Sequence, residues 1–445
     1  MKQTLTLAFL GGAREVGRTS MLLELEDMNI LLDCGINLGT KGENRYPISP
    51  PKKPDIAIVS HAHLDHSGYI PVIARKYGCK IYATPPTQDI SEILYIDLLK
   101  IAKECNEAPP FEVKDVMALR KYFIDSSYRT PITLHKNTRL TMYRSGHILG
   151  SAMIKIEIGD LSILYTGDLS MRNSKTLEMA DVGVGKVDIL IIESTYGHSS
   201  DKHPSRQKTE QEFIKTIEKT IKRGGKILIP AFAVGRAQEV MLTLESHMRS
   251  KALTNVPIYI DGMIKKINEL YRIYWLYLRP QIRRAIRYAK RNPLESRLFT
   301  IVKDRDEPVE RKEPCIIIST SGMLEGGPAM FYLKELGSDP KNLICLTGYQ
   351  VPGTRGRRLL DGERKIELPK GGSVEVLAEV KMFDFSAHAD QPSLFRFISY
   401  LRGLKKVFCI HGEEIKVLDF SERIKKNKKI EAYAPKVGER IPIQI

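Results

Sequence analysis

No Cys-x-x-Cys pair occurs anywhere in the 445 residues; the six cysteines are scattered at Cys34, Cys79, Cys105, Cys315, Cys345 and Cys409. In a chain without an export signal such spacing argues for reduced thiols, several of them small core residues inside apolar runs. No apolar run approaches the ~18–20 residues that a membrane helix needs. Residues 1–10 are too short and too polar for a signal peptide and lead straight into Gly11-Gly12. Membrane, secreted and fibrous classes are therefore set aside, and a cytoplasmic protein is expected. Internal repeats and low-complexity tracts are also missing. Acidic residues are in deficit, 53 Asp+Glu against 69 Lys+Arg, for a formal net charge of +16. A basic surface concentrates polyanions such as nucleic acid, although solubility alone accounts for the excess equally well.

What is present is ordinary for a globular chain: 42% hydrophobic and 27% charged residues. At roughly 100–200 residues per domain, two or three domains are expected. The first part reads as strand-rich, with short β-branched or aliphatic runs at 5–10, 21–25, 30–32, 56–60 and 81–83. Gly159-Asp160 is a two-residue hairpin signal, and 187–192 is near-continuously apolar, as in a strand covered on both faces. From about Ser199 the character changes to strand–turn–helix alternation, the pattern of a parallel α/β sheet. Helical patterns fall at 207–222 and 235–248. Near Val374 the strand-rich style returns. These shifts suggest a first domain over 1–198, an inserted domain over 199–380, and completion of the first domain by 381–445.

Directly after the run 56–60 comes His61-Ala62-His63-Leu64-Asp65-His66, the pattern H-x-H-x-D-H. Buried without an ion, so many clustered imidazoles and a carboxylate would be costly. Imidazole with carboxylate suits Zn²⁺, and less selectively Mn²⁺ or Fe²⁺. Only ten histidines occur in the chain, and three of them fall here.

The pattern resembles the signature of the metallo-β-lactamase superfamily, and three further pieces follow its order. They are an Asp ending an early strand (Asp33 in Leu31-Leu32-Asp33-Cys34-Gly35), a solitary His (His147 in Ser145-Gly146-His147) and an Asp after a hairpin strand (Asp168 in Tyr165-Thr166-Gly167-Asp168). Carried over, the resemblance gives His61, His63 and His147 to one ion and Asp65 and His66 to a second, with Asp168 bridging. It places Asp33 behind the ligands, orienting rather than binding.

Small-molecule hydrolases of that superfamily lack a large insertion. This chain is instead similar, over nearly its whole length, to the β-CASP branch of nucleases. That branch's extra motifs can be read in Ile191-Ile192-Glu193-Ser194-Thr195, Phe385-Ser386-Ala387-His388-Ala389-Asp390 and Cys409-Ile410-His411-Gly412. By this resemblance His411 completes the shell of the second ion, and Glu193 and His388 form a hydrogen-bonded pair beside the scissile phosphate. His388 would protonate the leaving oxygen while Glu193 fixes its tautomer, and Asp65 and Asp168 join them as residues acting on the reaction. A His at the position of His411 is the pattern of the RNA-cleaving members.

Within the inserted segment, Gly235-Arg236, Ser321-Gly322 and Thr354-Arg355 sit at small-residue turns where backbone N–H groups can approach phosphate, and an RNA-lining role is expected of them. Between Tyr271 and Thr300 the only acid is Glu295, and cations alternate with Tyr271, Tyr274, Trp275, Tyr277 and Tyr288. Arg283, Arg287 and Lys290 are spaced for one helical face. That stretch reads either as a phosphate-tracking surface with stacking aromatics or as a solvated helix whose aromatics face the core.

The expected fold is thus α/β: a metallo-β-lactamase αββα sandwich with an inserted α/β β-CASP domain built on a parallel sheet. The expected activity is a ribonuclease with two Zn²⁺ per chain, or Mn²⁺, hydrolysing single-stranded RNA to 5′-phosphate and 3′-hydroxyl ends in RNA processing or decay, endonucleolytically, from the 5′ end, or both. The chain most resembles archaeal relatives of the nuclease subunit of the cleavage and polyadenylation specificity factor. Longer archaeal forms carry RNA-binding KH domains before the lactamase domain, so here the inserted domain is expected to do most of the RNA gripping. A homodimer or an RNA-processing complex are the assemblies this leaves open. A catalytically silent RNA-binding scaffold is disfavoured because every ligand position is filled. A small-molecule metallo-hydrolase is disfavoured by the insertion and the +16 charge.

Overall fold

The computed structural model describes residues 4–40, 42–104, 107–369 and 371–444. The chain divides into two compact units, one made of residues 1–173, 179–202 and 387–445, the other of 174–178 and 203–386. Composition sets the edges of the insertion at 199 and 380; strand Glu379–Met382 straddles the latter and belongs to the second unit's sheet.

In the first unit two seven-stranded sheets face each other. One runs Arg440–Gln444, Thr4–Gly11, Ser20–Glu24, Asn29–Cys34, Ile56–Ile58, Lys80–Ala83, Phe123–Asp125 in spatial order. The other runs Glu431–Tyr433, Lys406–Ile410, Ile189–Glu193, Leu161–Tyr165, Ala152–Ile158, Thr138–Arg144, Ile132–His135. The period-2 pattern decides which residues meet between them. Leu5, Leu7, Phe9, Met21, Leu23, Leu32 and Ile58 of the first sheet pack on Leu140, Ile154, Ile156, Ile191 and Phe408 of the second. Full burial of each such side chain is worth about 1.5–3 kcal/mol. Alternate residues face outward and are covered by helices. Ala8, Leu22, Leu31 and Ile81 pack with Ile73 of helix Ile70–Tyr77 and with Tyr95 and Leu98 of helix Pro85–Glu104. Leu164, Leu190, Ile192 and Cys409 pack with Phe397 of helix Gln391–Tyr400 and Phe420 of helix Glu414–Lys428. The result is helix–sheet–sheet–helix. Strands buried on both faces explain the near-continuous apolar runs.

The second unit carries a six-stranded sheet in the order Phe299–Ile301, Ile258–Asp261, Ile316–Ser319, Ile227–Pro230, Leu343–Leu346, Glu379–Met382, every pairing parallel. Helix Pro328–Leu336 covers one face through Ala329, Tyr332 and Leu333, which pack on Leu228, Ile317 and Ile344. The five described cysteines, Cys34, Cys79, Cys315, Cys345 and Cys409, are free and buried, whereas Cys105 lies outside the described residues. No helix among the described residues is long and apolar enough to cross a membrane.

Candidate metal centre

The site forms where strands of the first unit end. Leu161–Tyr165, Ile189–Glu193 and Lys406–Ile410 run parallel, so Asp168, Glu193 and His411 emerge at one edge. Strand Ile56–Ile58 delivers His61 and His63, and the single turn Leu64–Ser67 that follows carries Asp65 and His66. His147 comes from the connection between strands Thr138–Arg144 and Ala152–Ile158. His388 lies just before helix Gln391–Tyr400.

These residues converge in three groups, the first and third sharing Asp168: His61, His63, His147 and Asp168; Asp65, His66 and His411; and Asp168, Glu193 and His388. Asp168 is central. Its Oδ2 lies 3.4 Å from His61 Nε2 and 3.3 Å from His147 Nε2, and its Oδ1 lies 3.2 Å from His66 Nε2 and 3.7 Å from His411 Nε2. His63 presents Nδ1, 3.1 Å from His147 Nε2. Asp65 Oδ2 is 3.8 Å from His411 Nε2.

The outward ring nitrogens are held from behind. Asp33, buried with a φ of 54°, accepts from His66 Nδ1–H at 2.8 Å, from the Ser60 N–H and hydroxyl at 2.7 Å each, and from the Tyr165 hydroxyl at 2.6 Å. Because the Ser60 hydroxyl gives its proton to Asp33, its oxygen accepts from His61 Nδ1–H at 3.0 Å. His147 Nδ1–H donates to the Ala387 carbonyl at 3.3 Å, and the Thr19 hydroxyl stands 2.7 Å from His411 Nδ1. Each bond turns Nε2 inward. Sequence reading found Asp33 but not Ser60, Tyr165 or Thr19.

The donor set fits a divalent cation. His61 Nε2 and His63 Nε2 are fully buried and make no hydrogen bond, and His66 Nε2 and Asp168 Oδ1 have only each other at 3.2 Å. An orphaned buried polar group costs about 1–3 kcal/mol, which a cation among nitrogen and oxygen donors removes.

Electrostatics follow from burial and the central carboxylate. Burial and the neighbouring His61 push His63 down to about 3. Burial likewise lowers His147 and His411. Burial opposes charge on His66, but Asp168 and Asp33 outweigh it and hold the imidazole well above its ordinary value. Burial also opposes ionisation of Asp168 and Asp65; the imidazoles, led by His66, win in both and hold the carboxyls below theirs.

Beside this cluster, His388 Nδ1–H donates to Glu193 at 3.0 Å to Oε2 and 3.2 Å to Oε1. Glu193 Oε1 also accepts from the Leu169 N–H at 2.6 Å. His388 is 15% exposed and Glu193 1%.

The second unit treats its candidates differently. The Gly235 N–H is taken by Gln238 Oε1 at 2.7 Å, and Arg236 is only 7% exposed. Arg355 grips Glu325 at 2.9 Å and the Glu367 carbonyl at 2.8 Å, and the Thr354 hydroxyl caps its own helix at Arg357 N. The Ser321 hydroxyl accepts from the Glu325 N–H at 3.2 Å, and a Cβ on Gly322 would meet Phe232 N at 2.7 Å. These turns are built largely by their own hydrogen bonds. Arg283 and Arg287 lie on helix Pro280–Arg287, which buries no residue, but Lys290 stands beyond its end with a φ of 47°. The single helical face read from spacing is therefore broken. Of the aromatics there, Tyr271 is core and Tyr288 is 72% exposed.

Comparison with known proteins shows the family. Residues 22–195 match the metallo-β-lactamase superfamily domain, 237–359 the Beta-Casp domain, and 373–435 the Zn-dependent metallo-hydrolase RNA specificity domain. An RNase J-like protein of Methanocaldococcus jannaschii is 40% identical, over 98% of this chain and 99% of that one. Transcription termination factor FttA of Methanothermobacter thermautotrophicus is 39% identical over 98% of this chain and 72% of its own, and that of Methanocaldococcus jannaschii 38% over 96% and 70%. A protein of unknown function from Enterococcus faecalis shares the fold at a TM-score of 0.59 and 15% identity, covering 99% of this chain and all of its own. The chain belongs to the metallo-β-lactamase/β-CASP nuclease family.

Proposed function

We propose that this chain uses two Zn²⁺ ions, or Mn²⁺, to hydrolyse single-stranded RNA to 5′-phosphate and 3′-hydroxyl products, acting endonucleolytically, from the 5′ end, or both. Family membership makes it a divalent-metal hydrolase of phosphodiesters with RNA as substrate class. The observation that carries the finer reading is the convergence of two ligand groups on Asp168, with the Glu193–His388 pair against the same carboxylate. His61, His63 and His147 would hold one ion, Asp65, His66 and His411 the other, and Asp168 both. A pair of divalent ions there would supply Lewis acidity and lower the pKa of bound water to about 7.

The protein's own part is positioning and proton supply. Asp33, Ser60 and Thr19 hold imidazoles with Nε2 inward, so little reorganisation remains when substrate arrives. His388, its Nδ1–H on Glu193, keeps Nε2 for the reaction, where it protonates the leaving 3′ oxygen. Glu193 favours the charged imidazole while its own charge is shared with the Leu169 amide. A silent scaffold would have no use for so complete a set.

Elemental analysis of the purified protein, followed by a time course on end-labelled single-stranded RNA with and without chelator, tests this. About two ions per chain and chelator-sensitive cleavage are expected. Metal-loaded protein that leaves RNA intact would overturn the reading.

A further inference from the structure

We infer that Thr19 is a positioning residue for the second ion: its hydroxyl oxygen accepts the Nδ1 proton that His411 carries when Nε2 holds the ion, and its backbone ties His411 to the segment that carries Asp65. The inference rests on the assignment of Asp65, His66 and His411 to that ion.

The chain around Thr19 is shaped for this contact. Residues 11–19 leave strand Thr4–Gly11 and return to strand Ser20–Glu24 through four left-handed positions, Gly12, Arg14, Gly17 and Arg18. A Cβ at Gly11 would lie 2.0 Å from the Arg18 carbonyl, and one at Gly12 would lie 2.9 Å from Thr19 Cα. Only glycine lets the loop close this tightly. Glu15 braces it, accepting from Arg18 Nε at 2.7 Å and from the Gly12 N–H at 3.2 Å. The loop then takes hold of the C-terminal segment: the His411 N–H donates to the Gly12 carbonyl at 2.6 Å and the Gly412 N–H to the Glu15 carbonyl at 3.1 Å.

Thr19 sits at the meeting point. Its N–H donates to the Asp65 carbonyl at 2.8 Å, and its carbonyl accepts from the Gly35 N–H at 3.0 Å. Its hydroxyl, wholly buried, lies 2.7 Å from His411 Nδ1 and is the only hydrogen-bond partner of that ring among the described residues. A ligand bound through Nε2 must carry its proton on Nδ1, and the Thr19 hydroxyl oxygen is then placed to accept it, leaving the lone pair on the nitrogen that faces Asp65 and Asp168. The other tautomer would aim an N–H at the place where the ion must sit. Thr19 orients the His411 ring as Asp33 orients that of His66, but as a neutral group that can also donate.

Full-length Thr19→Val, Thr19→Ser and His411→Gln, each checked for folding by circular dichroism, separate the possibilities in a Zn²⁺ titration against a competing chelator. Co²⁺ absorption spectra of the same proteins report coordination. Thr19→Val keeps the shape and removes the acceptor, so it should weaken one ion by roughly 10–100-fold, leave the other unchanged and alter the Co²⁺ spectrum. Thr19→Ser should restore both affinity and spectrum. Wild-type affinity and spectrum in Thr19→Val, alongside a lost ion in His411→Gln, would overturn the role of Thr19 alone. Two tightly held ions in His411→Gln would instead overturn the ligand assignment. If Thr19→Val does not fold and Thr19→Ser binds one ion weakly, Thr19 is a structural residue and the inference fails.

Discussion

His388 Nδ1 lies 3.0 Å from Glu193 Oε2, while its Nε2 stands 4.0 Å from Asp168 Oδ2, the carboxylate on which the other imidazoles converge. One ring thus touches the inferred metal bridge and the acid that sets its own tautomer.

Asp168→Ala should lose most of both ions, because its Oδ2 faces His61 and His147 while its Oδ1 faces His66 and His411. Elemental analysis of the purified variant checks this. Two ions per chain still bound would remove Asp168 from the bridging position.

Replacing Arg283, Arg287 and Lys290 with Ala should weaken binding of single-stranded RNA without changing the bound metal. For every phosphate that these side chains no longer neutralise, the salt dependence should flatten by about 0.7 log units of slope. Equal affinity for wild type and the triple variant across a salt titration would show that this surface meets only solvent.

Asp188 gives a pH dependence away from the metals. It accepts from the Ser162 N–H and hydroxyl and pairs with Lys405 at 3.0 Å and Lys186 at 3.2 Å. Burial opposes its ionisation, but the lysines outweigh that and lower its native value. Its stabilisation is therefore present above the unfolded value of about 3.9 and fades as pH falls through the lower native one. Asp188→Asn should cost about 1–3 kcal/mol at neutral pH and show a shallower acid limb in urea unfolding. An acid limb identical to wild type would mean that the charge contributes nothing.

How much of this was legible in the sequence depends on distance along the chain. H-x-H-x-D-H announces itself because its members are neighbours at the end of one strand, and alternation in 5–10 and the apolar run 187–192 reveal strands with two covered faces. His147, Asp168, Glu193, His388 and His411 required family resemblance, since single residues at strand ends look like turn residues. Ser60, Tyr165 and Thr19 left no local sign: the bond of Thr19 to His411 spans 392 positions and exists only once the N- and C-terminal strands pair. The turns of the second unit are ambiguous for a different reason. Glycine-rich turns such as Gly235-Arg236 carry the right composition for binding phosphate, but Gln238 satisfies the Gly235 amide from within.

The most direct test is the single-turnover cleavage rate of metal-loaded His388→Ala on single-stranded RNA, measured beside its metal content. The account predicts both ions retained, RNA still bound, and a rate lower by roughly 10²–10⁴-fold. A substrate with sulfur as the 3′ leaving atom, which needs little protonation, should recover much of that loss, and Glu193→Gln should show a milder form of the same defect. A variant that has lost an ion would make His388 a ligand and contradict the roles given to it and to His411; an unchanged rate would remove it from the reaction.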